Sequence, residues 1–191
     1  MQTQKPSTPG DRVTMAGSFN GLYMLSHAHA VTCTVFLRSD YGREGIGMFG
    51  LVGGLLILGY GCYANCYPMF VYFLLWMGAV ICQRIRQFIN WRRGRVFIHS
   101  RYNGYPYVSK WLFPRMTELN ARGVDAFLCL AIGGLLFQFS RPLGVFVMMG
   151  FLSIMFSEAV MVEGTKRRLQ AMRDAELEQR YLAEQYKSGQ F

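Results

Sequence analysis

The chain has 191 residues, a formal net charge of +9 and a mean hydropathy of only +0.17. A domain of this size cannot encase four long apolar helices in a water-soluble core, so the runs described below exclude an ordinary soluble bundle. The positive charge does not indicate a nucleic-acid partner, because no recognised binding motif accompanies it.

The first dozen residues are polar and rich in Ser, Thr, Pro and Gly. They lack an apolar stretch behind a basic start, so they read as a tail and not as a cleavable signal. Residues 13–37 are apolar enough to touch a membrane, but Ser18, Asn20, Ser26, His27, His29, Thr32 and Thr34 argue against a clean span. Residues 22–31 read as an interfacial helix and the β-branched stretch 31–37 as a strand, with a fifth span as the alternative. Residues 1–44 are therefore expected to form a polar tail and an interfacial segment.

Four apolar runs follow. The first, 45–61, is uncharged. Its seventeen residues would rise roughly 26 Å as a helix, slightly short of a hydrocarbon core of about 30 Å. The second, 68–82, opens on Pro68 and stops at Gln83-Arg84-Ile85-Arg86. The short link between them makes these two runs antiparallel neighbours, a first transmembrane hairpin over 45–82. A second hairpin over 124–162 comprises the run 124–140, a turn at Arg141-Pro142, and the run 143–162, which is broken only by Ser153, Ser157 and Glu158. Proline suits the first turn of a helix, where its missing N–H would be unpaired anyway.

Residues 83–123 form a basic loop. Between Arg84 and Arg122 there are nine Lys/Arg and one acid, Glu118. Basic residues near span ends resist translocation, so the loop and both termini are expected on the cytoplasmic side. Arg84, Arg86, Arg92, Arg93 and Arg95 interleave with Ile85, Phe88, Ile89 and Trp91, a pattern suited to anionic headgroups at about 1 kcal/mol per cation. Further along, Asn103-Gly104 lies between segments rich in Val, Ile and Tyr, which predicts a small β-hairpin with a type I′ turn. Residues 163–191 read as a charged cytoplasmic helix, with Glu176, Arg180 and Glu184 at i,i+4 spacing. The expected fold class is thus mainly α: a polytopic membrane protein of four transmembrane helices in two hairpins, with a small cytoplasmic β-hairpin and a C-terminal charged helix.

Several motifs invite a chemical reading. Residues 45–50 match GxGxxG, but a dinucleotide site needs a soluble strand–turn–helix and a later acid, and neither is present. The better use of Gly50 and Gly54 is helix packing, as a GxxxG pair. Gly53-Gly54-Leu55-Leu56 recurs as Gly133-Gly134-Leu135-Leu136, too short a match to establish duplication. His27, His29 and Cys33 offer metal donors, yet the two histidines share a face only in a strand, and no metal or other cofactor is expected. Cys62 and Cys66 flank the outer turn, where an oxidising compartment could join them as a disulfide. Asp125 and Glu158 are ionisable groups close to span ends, where a side chain can reach water.

No catalytic constellation emerges. The expected function is a non-enzymatic integral membrane subunit or scaffold presenting a basic cytoplasmic surface to lipid or protein partners. The alternatives are a small oligomeric transporter or channel and, less well supported, an enzyme acting on lipid-linked substrates through His27, His29, His99 and Arg101. Expected partners are anionic membrane lipids and a homo- or hetero-oligomer. The expected location is a plasma membrane, a bacterial inner membrane in preference to an organellar one.

Overall fold

The computed structural model describes residues 9–42, 45–94 and 102–187, without the side chains of 9–16. Among these residues there are six helices and no strand: α1 Pro9–Leu37, α2 Gly47–Tyr63, α3 Tyr67–Arg92, α4 Tyr107–Leu112, α5 Glu118–Phe139 and α6 Arg141–Lys187. The chain divides into a first unit, through Ser157, and a second from Glu158 onward.

Helices α3, α5 and α6 are long and apolar enough to cross a membrane. The expectation of four spans is corrected by α2. It coincides with the first apolar run, but at 17 residues it falls short of the length that qualifies the other three. The solvent-facing pattern of the first unit agrees with a membrane environment. Leu51, Leu74, Leu135 and Phe139 are exposed, whereas Thr32, Ser109 and Asp125 are completely buried. A bundle in water sorts these residue types the other way round.

Helix α1 includes the expected helix over 22–31 and overturns a second expectation, the strand over 31–37. It is helical throughout to Leu37, and residues 30–35 are all buried. Packing on every side overrides the strand preference of Val31, Thr32, Thr34 and Val35. Thr32 keeps its hydroxyl satisfied inside the helix by donating to the His29 carbonyl at 2.7 Å. Of the polar residues that argued against a lipid-facing span, His27, Thr32 and Thr34 are buried among the helices, while Ser18 and Asn20 are exposed.

Glycines let these helices approach. A Cβ at Gly53 would meet the Ala28 carbonyl oxygen of α1 at 3.0 Å, and one at Gly54 would meet the Trp76 ring of α3 at 3.1 Å. At Gly50 the nearest neighbour is Ile46, just before the same helix, at 2.8 Å. A Cβ at Gly133 of α5 would lie 2.7 Å from Met148 N of α6, and one at Gly144 of α6 would meet the Phe137 backbone. Gly134 meets nothing. The repeated Gly-Gly-Leu-Leu pairs thus have different jobs in the two hairpins.

The short turns are specified locally. Asn65 adopts a left-handed conformation (φ +46°) after α2, and Cys66 N donates to Gly61 O at 3.1 Å, closing the helix end. Pro68 sits in the first turn of α3. At the start of α5 the Thr117 hydroxyl accepts from Asn120 N, a side-chain N-cap.

The expected β-hairpin is not seen among the described residues. Gly104 has the positive φ that a type I′ turn needs (+80°), but Asn103 does not share it, so the turn cannot form. What remains is one antiparallel bridge between Ser39 and Tyr105. After Pro106 the chain enters helix α4 where the second strand was expected. The first strand of that hairpin, with Arg95, His99 and Arg101, lies outside the described residues.

In the second unit, the remainder of α6 is mostly exposed and carries i,i+4 ion pairs, Arg167 to Glu163 at 3.1 Å and Arg180 to Glu176 at 2.6 Å.

The glycine contacts generate a direct test. Gly133→Leu should prevent close approach of α5 and α6 and destabilise the fold by at least ~1–3 kcal/mol, the cost of overpacking. Gly134→Leu, one residue away in the same sequence context, should be tolerated. Thermal unfolding of the two variants in detergent checks the contrast; equal melting temperatures would contradict the packing described.

Candidate functional site: a buried ion pair beneath an exposed basic and aromatic surface

The most unusual electrostatic feature lies where α1 ends. Arg38 follows its last turn, and Asp125 stands two turns into α5. The Arg38 Nε donates to Asp125 Oδ2 at 2.7 Å, with both side chains almost wholly buried. The other carboxylate oxygen accepts the Ser109 hydroxyl of α4 at 2.5 Å. Arg38 Nη1 also reaches the Asn103 carbonyl at 3.5 Å. One carboxylate therefore gathers α1, α4 and α5, while its guanidinium partner adds the 102–106 segment.

Polar contacts extend outward from this pair. Gln83 of α3 donates to the Arg38 carbonyl at 2.8 Å, and Gln87 donates to the carbonyls of Tyr41 (2.9 Å) and Gly42 (3.2 Å). Asp40 adopts a left-handed conformation (φ +57°) and accepts both Arg86 Nε and Nη2, at 2.9 and 3.2 Å. This last pair is exposed to solvent and contributes little to stability. Gly42 N donates to Tyr102 O, the Tyr102 hydroxyl donates to Glu118 at 2.6 Å, and Arg122 completes the cluster by donating to the same Glu118 oxygen at 2.8 Å. Burial, reinforced by the hydrogen bond to Glu118, pushes the Tyr102 phenol up to about 12.

This arrangement is poor acid–base machinery. Arg38 neutralises Asp125, and Ser109 already donates its hydroxyl to the carboxylate, so neither is poised as base or nucleophile. Its effect is mechanical: it holds α4 against the bundle by its one buried residue type, Ser109, and leaves Tyr107, Trp111 and Leu112 exposed. The end of α3 presents a matching surface. Ile85, Phe88, Ile89 and Trp91 are exposed, as are Arg86, Arg92 and Arg93, while Arg84 is half-buried and donates to Gln87 at 2.9 Å. Arg95 lies outside the described residues.

The other sequence-derived residues are dispersed. Gly50 and Gly54 lie on the buried face of α2. Cys62 and Cys66 are both free thiols; Cys62 is exposed, and Cys66 is buried with its Sγ 3.2 Å from Ser140 Oγ at the turn between α5 and α6. His27 and His29 face different neighbours, as helical spacing requires. His27 stacks on Tyr23 and meets Phe49 edge-on, whereas His29 Nδ1 lies 2.8 Å from Ser153 Oγ. No group of three or more His, Cys, Asp or Glu side chains suited to a metal occurs among the described residues.

Sequence reasoning missed the central pair. Asp125 was expected to reach water from a span end; instead it is shut inside the bundle against an arginine 87 residues away. The available signal was that a lone acid in an apolar run demands a cation, with Arg38, at the end of an apolar stretch, as a candidate. Comparisons with protein-family models, curated proteins and solved structures found no match.

Two measurements follow from the geometry. Arg38→Met or Asp125→Leu alone should cost roughly 3–5 kcal/mol by stranding a buried charge, and the double variant should recover much of that loss. Additive losses in a thermal-denaturation cycle would exclude the coupling. For Tyr102, the fold favours the protonated phenol. Its contribution is fully present below the ordinary value near pH 10 and is lost as pH rises through about 12. Subtracting the ultraviolet tyrosinate titration of Tyr102→Phe from that of the parent should place the missing transition near pH 12.

Proposed function

We propose that this protein is a non-enzymatic membrane scaffold whose function is to present a basic and aromatic surface at the cytoplasmic face, docked on anionic lipid and offered to protein partners. The observation that carries the reading is the surface at the end of α3 and along α4. Trp91 and Trp111 are 68 and 76 % exposed; they share their helices with Arg92 and Lys110, and Arg93 follows directly after α3. Exposed indoles beside cations, directly after an apolar helix, suit the headgroup layer, where the ring meets the acyl boundary and the charge meets phosphate.

The distribution of Lys and Arg supports the orientation, with both termini and the 83–123 loop inside. The buried Asp125 contacts support the presentation, because they fix α4 without consuming its aromatic face.

The test uses the full-length protein in vesicles with and without phosphatidylglycerol. Trp91 and Trp111 should shift to shorter emission wavelength and resist aqueous quenchers when the anionic lipid is present, and added salt should reverse the effect. Arg92→Gln/Arg93→Gln should weaken this docking by about 2 kcal/mol, at about 1 kcal/mol per arginine. Identical quenching for parent and variant in both lipid mixtures would leave the arginines with an orienting role alone and remove the basis of the proposal.

A further inference from the structure

We propose that Cys33 and Cys129 form an intramembrane dithiol that closes to a disulfide by transferring two electrons to a lipid-soluble quinone. Cys33 belongs to α1 and Cys129 to α5, and both are only 3 % exposed. Their sulfurs converge on the same point beside α6. Gly150 of α6 makes the room for them: a Cβ there would lie 2.6 Å from the Cys33 sulfur and 3.6 Å from that of Cys129. The pair is one rung along from the Arg38–Asp125 contact. Asp125 and Cys129 are a helical turn apart on α5, and Cys33 precedes Arg38 by little more than a turn, so the ion pair sets the register that brings the sulfurs together.

The reaction partner follows from where the thiols open. Both line an apolar cleft of about 430 Å³ between α1, α3, α5 and α6. Val71 and Leu75, also in its wall, are exposed on the outer face of α3, within a candidate span. A reactant entering there comes from the hydrocarbon. An ionic oxidant would have to leave water to arrive, whereas a quinone already resides in lipid. The chemistry balances without leaving a charge behind. Each thiol loses its hydrogen, the two sulfurs bond, and two electrons with two protons convert the quinone carbonyls to a hydroquinone that returns to the bilayer. The product ties α1 covalently to α5. This site is separate from the basic surface, and its test does not depend on the scaffold reading.

The experiment uses the reduced, full-length protein in liposomes treated with decylubiquinone, whose fully substituted ring does not add thiols. Free thiols are alkylated after denaturation and mapped by mass spectrometry. Cys33 and Cys129 should lose alkylation together and appear as one cross-linked peptide, with about one quinol formed per chain. Cys62 and Cys82, both exposed, should keep their labels. In Cys129→Ser, Cys33 should remain fully alkylated; if that variant does not fold, Cys33→Ala with Cys129 as the reporter serves instead. Three outcomes would overturn the proposal: retention of both thiols under quinone, equal consumption of the remaining thiol in the single variant, or oxidation of the pair by aqueous ferricyanide as fast as by quinone.

Discussion

The fold depends on one carboxylate. Asp125 has no access to water, so its charge is tolerable only because both oxygens are occupied, one by the Arg38 guanidinium and the other by the Ser109 hydroxyl. Neither donor is local in sequence. Arg38 must arrive at the end of α1 and Ser109 in a six-residue helix that is too short to be stable in isolation. Satisfying the carboxylate therefore selects a single arrangement of α1, α4 and α5. An apolar replacement of the pair could match its stability, yet would not specify which helix end must sit beside which.

The second constraint is that hydrocarbon does not drive apolar surfaces together. Leu–lipid contacts are as favourable as Leu–Leu contacts, so association rests on close packing and on polar groups that cannot be left facing lipid. Helix α1 fits that logic. Its buried stretch mixes Ala, Thr, Cys and His with Val31 and Val35, and it is packed by Gly53 of α2, by the Tyr72 hydroxyl donating to Thr32 O at 2.9 Å, and by Ser153 of α6 near His29. The larger apolar residues of the surrounding helices, such as Leu74, Phe127 and Leu152, are left outside. Polar and small residues sit inside beside Ile57, Met69, Trp76 and Phe146, while many large apolar residues face outward, as expected of a bundle solvated by acyl chains.

Hydropathy made the positions of α2, α3, α5 and the first part of α6 readable from the chain, along with their turns at Asn65 and Arg141-Pro142. It could not separate α2 from a true span, because composition is silent on length by a residue or two. It misread α1 for a sharper reason: hydropathy scores a helix against lipid, whereas Thr32, Thr34 and His27 are buried against protein. Asn103-Gly104 gave the right glycine conformation and the wrong structure, since the hairpin also required Asn103 at positive φ and a neighbouring sheet to pair with. The site was half visible. The arginines and aromatics announce themselves by spacing, but their positioning depends on the Arg38–Asp125 contact across 87 residues.

The two ends of the bundle are built for different tasks. At the short-turn end, the α2–α3 and α5–α6 connections are held against each other by Cys66 and Ser140, with tight backbone caps and little polar surface. At the opposite end the helices are joined by long segments, and the gaps are filled by Gln83, Gln87, Tyr102, Glu118 and Arg122 hydrogen-bonding to backbone or to one another. Directional bonds of this kind locate a short helix far more narrowly than apolar contact could. They also transmit: α4 is held by the buried Ser109 and by the half-buried Val108, which packs on the core cluster of Leu37, Ala126 and Ile154. A shift of α1 against α5 moves Arg38 relative to Asp125, the carboxylate that also holds Ser109 on the helix carrying Tyr107 and Trp111. The surface most suited to meeting lipid or a partner is coupled, through the Ser109 hydrogen bond and the Val108 packing, to the register of two helices in the core.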